Sequence, residues 1–131
     1  MFEEIPEQRD DFFGDADAYE LALSKMFEQP IGPKVMIMLQ EHFLSPDHTI
    51  SWQRLAEKVG YSRGIVVHGQ LGRFAKGIGQ QLGLTDPPKD FWCYVLAKWA
   101  GKDENGHQEF TLRRPVIDAL KRLGHLEQVT V

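Results

Sequence analysis

The apolar positions of this chain fall into blocks whose spacing changes from helical to alternating and back. Tyr19, Leu21, Leu23, Met26 and Phe27 form the apolar set of a first helix beginning near Ala16, with Asp15 or Asp17 placed to cap it. Pro30, Gly32 and Pro33 end that helix, and Pro33 suits the first turn of the next. The second block, Pro33–Leu44, is apolar nearly all round through Val35, Met36, Ile37, Met38, Leu39 and Phe43, the pattern of a central core helix. Ser45, Pro46 and Asp47 then make a turn, and His48, Thr49 and Ile50 lean towards a short strand.

Ser51 is a natural N-cap for a helix over Trp52–Val59 with Trp52, Leu55, Ala56 and Val59 inward, and Gly60 suits its left-handed end. Ser62 recaps two residues later, so a second helix over residues 63–82 leaves at a sharp angle. That helix turns Val67, Leu71, Phe74, Ala75, Ile78 and Leu82 to one side. Arg63, Gln70, Arg73, Lys76, Gln80 and Gln81 fall on the other, with Gly69 and Gly77. A glycine inside a helix costs about 1 kcal/mol relative to alanine, so repeated glycines call for a reason. Close approach of a phosphate strand to the bare backbone is one.

Residues 91–99 alternate as a strand with Phe91, Cys93, Val95, Ala97 and Trp99 on one face. Asn105-Gly106 is a turn pair, and residues 107–112 return as a second strand. Pro115 opens a last helix carrying Val116, Ile117, Leu120 and Leu123, with Gly124 as its stop. Leu126, Val129 and Val131 then form a short edge strand. The expected fold class is mainly α (α+β): winged helix-turn-helix-like, helices plus one C-terminal β-hairpin. Two parts are expected, an acidic N-terminal arm over residues 1–15 and a winged-helix-like domain over residues 16–131.

Charge alters this picture more than composition does. The chain carries −4 overall, but residues 1–20 hold eight acids against Arg9 alone, leaving the remainder at +3. Between Ser51 and Leu82 five bases face the single acid Glu57. In a winged helix the second helix of the pair enters the major groove while flanking cations meet phosphates. Arg73 and Gln70 are then candidates for base edges, since Arg matches guanine and Gln matches adenine. Arg54, Lys58, Lys76 and Lys102 are candidates for phosphates, with Ser62, Arg63 and Gln80 completing the surface. Double-stranded DNA is the expected partner, and the acidic arm is expected either to weaken binding by folding over that face or to recruit a partner.

No catalytic residue, cofactor or metal is expected. The five histidines lack metal-binding spacing and Cys93 is alone, set as an inert core thiol. No phosphate-loop or nucleophile-elbow motif is present, and the glycine pairs around Gly69 and Gly77 do not follow a strand. No apolar run approaches a membrane span of roughly 20 residues. A cytoplasmic location without membrane attachment is expected. The alternative function is a protein-protein interaction module, or a homodimerising winged-helix domain that does not bind DNA.

Leu55-Ala56-Glu57-Lys58-Val59-Gly60-Tyr61, then His68-Gly69-Gln70-Leu71-Gly72-Arg73 and Ile78-Gly79, carry a likeness. Over about residues 33–124 the chain resembles a small bacterial domain, which is found free-standing and as the N-terminal part of predicted HNH endonucleases. It is similar, more distantly, to the modified-cytosine-reading N-terminal domain of McrA-type restriction enzymes. His68 stands where that family usually has Tyr, and Ile65-Val66-Val67 replaces its usual upstream Asn. The resemblance implies DNA recognition and the reading of modified bases. With no nuclease half expected in these residues, cleavage would need a separate partner.

Overall fold

Asp15 caps the first helix, α1 (Ala16–Phe27), accepting from the Ala18 N–H at 2.9 Å. The computed structural model describes residues 9–88 and 91–124. The edge strand expected at Leu126, Val129 and Val131 lies outside the described residues. α1 buries Tyr19, Ala22 and Leu23, while Leu21, expected inward, is 61% exposed.

The apolar run of α2 (Pro33–Leu44) is not the centre of the molecule. It buries Met38, Leu39, Gln40 and His42, whereas Val35, Met36, Ile37 and Phe43 are only half-buried. The central place belongs to α4 (Gly64–Gln81), which packs on α1, α2 and α3 (Trp52–Val59) and on the 3-10 turn Trp92–Val95. α4 is one unbroken helix burying Val67, Leu71, Phe74, Ala75, Ile78 and Gly79. With Tyr19, Leu23, Met38, Leu39, Leu55, Val95, Leu112, Val116 and Leu120 these residues make the core.

The turn between α3 and α4 departs from expectation in its capping. Ser51 caps α3, accepting from the Arg54 N–H at 3.1 Å, and Gly60 closes it at φ 92°. Ser62 does not cap α4; the N-cap position is Arg63, whose side chain makes no capping bond. Gln53 reaches across instead, its Oε1 accepting from the Gly64 N–H at 2.9 Å and its Nε2 donating to the Ser62 carbonyl at 3.0 Å. One amide therefore satisfies both sides of the corner.

The glycines of α4 serve internal packing more than an outside partner. A Cβ on Gly64 would stand 2.9 Å from the Gln53 backbone nitrogen and 3.0 Å from the Trp52 carbonyl carbon. Gly77, expected on the outer side, faces the Met26 thioether of α1, and Gly79 faces the Trp92 ring. Gly69 is exposed, with nothing but its chain neighbours and its own helix backbone within 4 Å of where its Cβ would be.

Residues 91–99 do not form one strand. Phe91 enters the 3-10 turn, and strand β2 is Ala97–Lys102. Side chains and backbone from elsewhere take the carbonyls that a strand would use. Arg113 Nε donates to the Tyr94 carbonyl at 2.7 Å, the Tyr19 hydroxyl to Val95 at 2.6 Å, and the Arg113 N–H to Leu96 at 2.9 Å. β2 pairs antiparallel with β3 (Gln108–Leu112), with a bulge between Trp99 and Gly101. β3 also pairs with β1 (Thr49–Ser51), giving a three-stranded antiparallel sheet in the order β1-β3-β2. The chain is thus mainly helical with a small sheet. α5 (Arg114–Leu123) buries Pro115, Val116, Ile117, Ala119 and Leu120, and ends at Gly124.

Of the acidic arm, residues 9–14 lie against this body. Lys98 Nζ stands 2.9 Å from Asp10 Oδ1, and the fully buried Arg113 donates through Nη1 to the Arg9 carbonyl at 2.7 Å. Its guanidinium also covers the Phe13 ring at 4.7 Å. Among the described residues no helix is long and apolar enough to cross a membrane.

Candidate functional site: an aromatic cavity between the helix pair and the hairpin

The corner that Gln53 holds forms one side of a cavity of about 540 Å³, and the β-hairpin forms the other. Five rings from different parts of the chain close around it. Trp52 of α3 stacks on Phe110 of β3 at 4.6 Å between centroids, with only 12° between the planes. Phe110 then meets Tyr94 at 6.2 Å, Tyr94 meets Phe91 at 6.1 Å, and Phe91 meets His68 of α4 edge-on at 5.1 Å. His68 returns to Trp52 at 6.4 Å, closing the circuit. Phe91 and Tyr94 share this wall because a 3-10 turn brings residues three apart onto one side. A strand would have set them on opposite faces.

Backbone anchors hold the rings in place. The Tyr94 carbonyl is taken by Arg113, and the Cys93 thiol donates to the His68 carbonyl at 3.5 Å. Burial pushes that thiol up to about 12, so Cys93 is a neutral packing group on the cavity wall. Behind Phe110 lies His42, 2% exposed, whose Nε2–H donates to the Phe110 carbonyl at 2.8 Å and whose ring meets Trp52 edge-on at 5.8 Å. Burial, the largest influence, holds His42 down to about 4 despite that hydrogen bond. Burial also lowers His68, whose neutral imidazole offers the cavity one donor and one acceptor.

The mouth carries Gln53, Arg63, Gly64, Ile65, His107 and Gln108. The hairpin tip is set by Asp103, whose Oδ1 accepts from the N–H groups of Asn105 and His107, both at 2.9 Å. No carboxylate lines the cavity among the described residues. An aromatic cage built for an ammonium ion gains from a carboxylate in its lining; among the described lining residues there is none, and the Arg63 cation stands at the mouth. The arrangement suits a flat, neutral, hydrogen-bonding ring tied to something anionic. Its volume is ordinary for a small-ligand site, roughly 300–1,000 Å³.

The residues expected from sequence to touch DNA are distributed over several surfaces. Arg63 is at the cavity mouth, and Lys102, exposed on β2, pairs in register with the cavity residue Gln108. Arg73, Lys76 and Gln80 are exposed along α4 with Gly69. Gln70 is turned aside, its Nε2 donating to the Tyr61 hydroxyl at 2.8 Å, while Lys34 sits 4.1 Å from the Tyr61 ring centre. Gln70 and Arg73 line a separate cleft of about 350 Å³ with Met26 and Phe74. Arg54 and Lys58 border another cleft with Glu41 and Glu109, and Lys58 Nζ is 3.5 Å from Glu41. Ser62 is exposed, its carbonyl held by Gln53. Among the described residues no cluster of His, Cys, Asp or Glu could hold a metal ion.

The cavity is not legible in residue order. The sequence pattern places Trp52 and Phe91 on core faces of a helix and a strand, counts His42 and His68 among scattered histidines, puts Tyr94 and Phe110 within expected strands, and gives Arg113 no role. Comparison with protein-family models, with curated proteins and with solved structures finds no match for this chain.

Proposed function

We propose that this protein binds double-stranded DNA and reads a modified base turned out of the stack into the aromatic cavity. The observation that carries the reading is the closed circuit of five rings, joined to a mouth that bears Arg63 and no described acid. Aromatic faces stack on any base, at about 1–3 kcal/mol each, which offsets the few kcal/mol of unstacking. His68 on the wall and Gln108 at the mouth then read the edge of the base. A modified base adds apolar or polar bulk for which the cavity has room.

The element order supports a winged-helix docking of the same kind. Helix α2, strand β1, helices α3 and α4, and the hairpin follow one another, and β1 returns to pair with β3. In the proposed complex Arg63 and Lys102 flank the cavity and meet phosphates, while Arg73 and Lys76 extend the contact along α4. Arg54 and Lys58 lie on another cleft and contribute little.

The test is a titration of three duplexes of one sequence, with plain cytosine, 5-methylcytosine or 5-hydroxymethylcytosine, across a range of salt. The expected result is at least about tenfold tighter binding of one modified duplex. Log affinity should also fall against log salt with a slope of about −3 to −4, as for three or four neutralised phosphates. Tyr94→Ala and Phe91→Ala should remove the preference for the modified base and leave the slope. A salt-insensitive homodimer that ignores all three duplexes would overturn the reading in favour of a protein-interaction module.

A further inference from the structure

A base drawn into the cavity leaves a gap between its former neighbours, and the lost stacking costs a few kcal/mol. Proteins that open the stack commonly offset this by inserting an apolar side chain into the step. Such a side chain must be apolar, exposed in the free protein, rigidly held, and beside the cavity, because the extruded nucleotide stays tied to its own backbone.

Seven large apolar side chains are prominently exposed among the described residues, and only Ile65 and Phe91 of these line the cavity. Phe91 is committed to the wall through its contacts with His68 and Tyr94. Ile65 is 63% exposed at the mouth. It is the second residue of α4, and its β-branched side chain has few χ1 rotamers. Its neighbour Gly64 lies against the α3 backbone and is fixed by Gln53, so the Ile65 position is stiff. Arg63 precedes it at the mouth, where a phosphate next to the opened step would stand.

Resting on the DNA reading above, we infer that Ile65 is a wedge that enters the duplex and fills the place of the extruded base. Its side chain touches the bases flanking the gap and not the base in the cavity. Val66, 37% exposed and next along α4, widens the apolar contact with the flanking base.

The experiment uses the full chain and the duplex preferred in the three-way titration, with 2-aminopurine placed beside the modified cytosine. The same modified strand is also titrated single-stranded. For the unsubstituted protein, 2-aminopurine fluorescence should rise on binding the duplex, because its neighbour has left the stack. Ile65→Ala should bind the duplex roughly tenfold more weakly and bind the single strand within about twofold of normal, since a single strand has no gap to fill. Ile65→Leu should recover most of the loss. An unchanged melting temperature, expected at so exposed a position, separates this from misfolding. Duplex affinity unaltered by Ile65→Ala, or equal losses on duplex and single strand, would overturn the wedge while leaving base reading intact. Absence of the fluorescence rise in the unsubstituted protein would remove both.

Discussion

Gly64→Ala makes the sharpest demand on the structure, because intrinsic preference and packing there have opposite signs. Inside an exposed helix, glycine to alanine stabilises by about 1 kcal/mol. At Gly64 the new methyl would lie 2.9 Å from one α3 backbone atom, 3.0 Å from a second and 3.1 Å from a third. Relaxed contacts between such atoms lie near 3.5–4.0 Å, so α3 and α4 must separate by roughly half an ångström or more. Overpacking of this kind costs about 1–3 kcal/mol. Separation also stretches the two Gln53 hydrogen bonds across the corner, at 2.9 and 3.0 Å, each contributing about 1 kcal/mol. The net expectation is a loss of roughly 2 kcal/mol. Gly69→Ala is the control: its Cβ enters open space, and the chain should gain up to about 1 kcal/mol. Urea denaturation followed by helical circular dichroism reads both. At a slope of about 2 kcal/mol/M, Gly64→Ala should lower the midpoint by about 1 M and Gly69→Ala should raise it by up to about 0.5 M. A Gly64→Ala midpoint equal to or above that of the parent would refute the close helix crossing, and with it the geometry of the cavity mouth.

His42 makes stability pH-dependent. Its folded-state value, about 4, lies below its ordinary 6.5, so protons bind the unfolded chain more readily. Its contribution is complete above pH 6.5 and declines as pH falls towards 4, by about 3 kcal/mol in all, and His42→Gln should flatten that part of the denaturation profile. Arg113→Met should cost about 3 kcal/mol, because the Tyr94 and Arg9 carbonyls both lose the charged donor that the buried Arg113 supplies; a melting curve within two degrees of the parent would show that the anchor is not needed. In the DNA titrations Arg63→Ala, Lys102→Ala, Arg73→Ala and Lys76→Ala should each make the log–log salt slope shallower by about 1, and Lys58→Ala should leave it unchanged. Removal of residues 1–8, which carry Glu3, Glu4 and Glu7, should tighten binding at moderate salt; equal affinities with and without them would exclude electrostatic screening by the arm.

Much of the architecture was legible in residue order because its causes are local. Asp15 and Ser51 accept from N–H groups three residues on, Gly60 and Gly124 take left-handed turns, and Pro33 and Pro115 open helices. These events involve neighbours in the chain, and the apolar period over Val67, Leu71, Phe74, Ala75 and Ile78 oriented α4 correctly. Local pattern misjudged α2, since apolar composition says nothing of which helix the others will cover. It also took 91–99 for a strand, because the partners that divert those carbonyls, Tyr19 and Arg113, are far away in sequence.

The cavity belongs wholly to long-range packing. Its five rings come from α3, α4, the 3-10 turn with its entry, and β3, and no spacing among residues 52, 68, 91, 94 and 110 announces that they meet. Likewise the glycines of α4 look from sequence like an opening for a partner, yet Gly64, Gly77 and Gly79 are filled by α3, Met26 and Trp92. A missing side chain records that something comes close without saying what. Only the assembled neighbours supply that answer, because close approach depends on two surfaces and the sequence describes them one residue at a time.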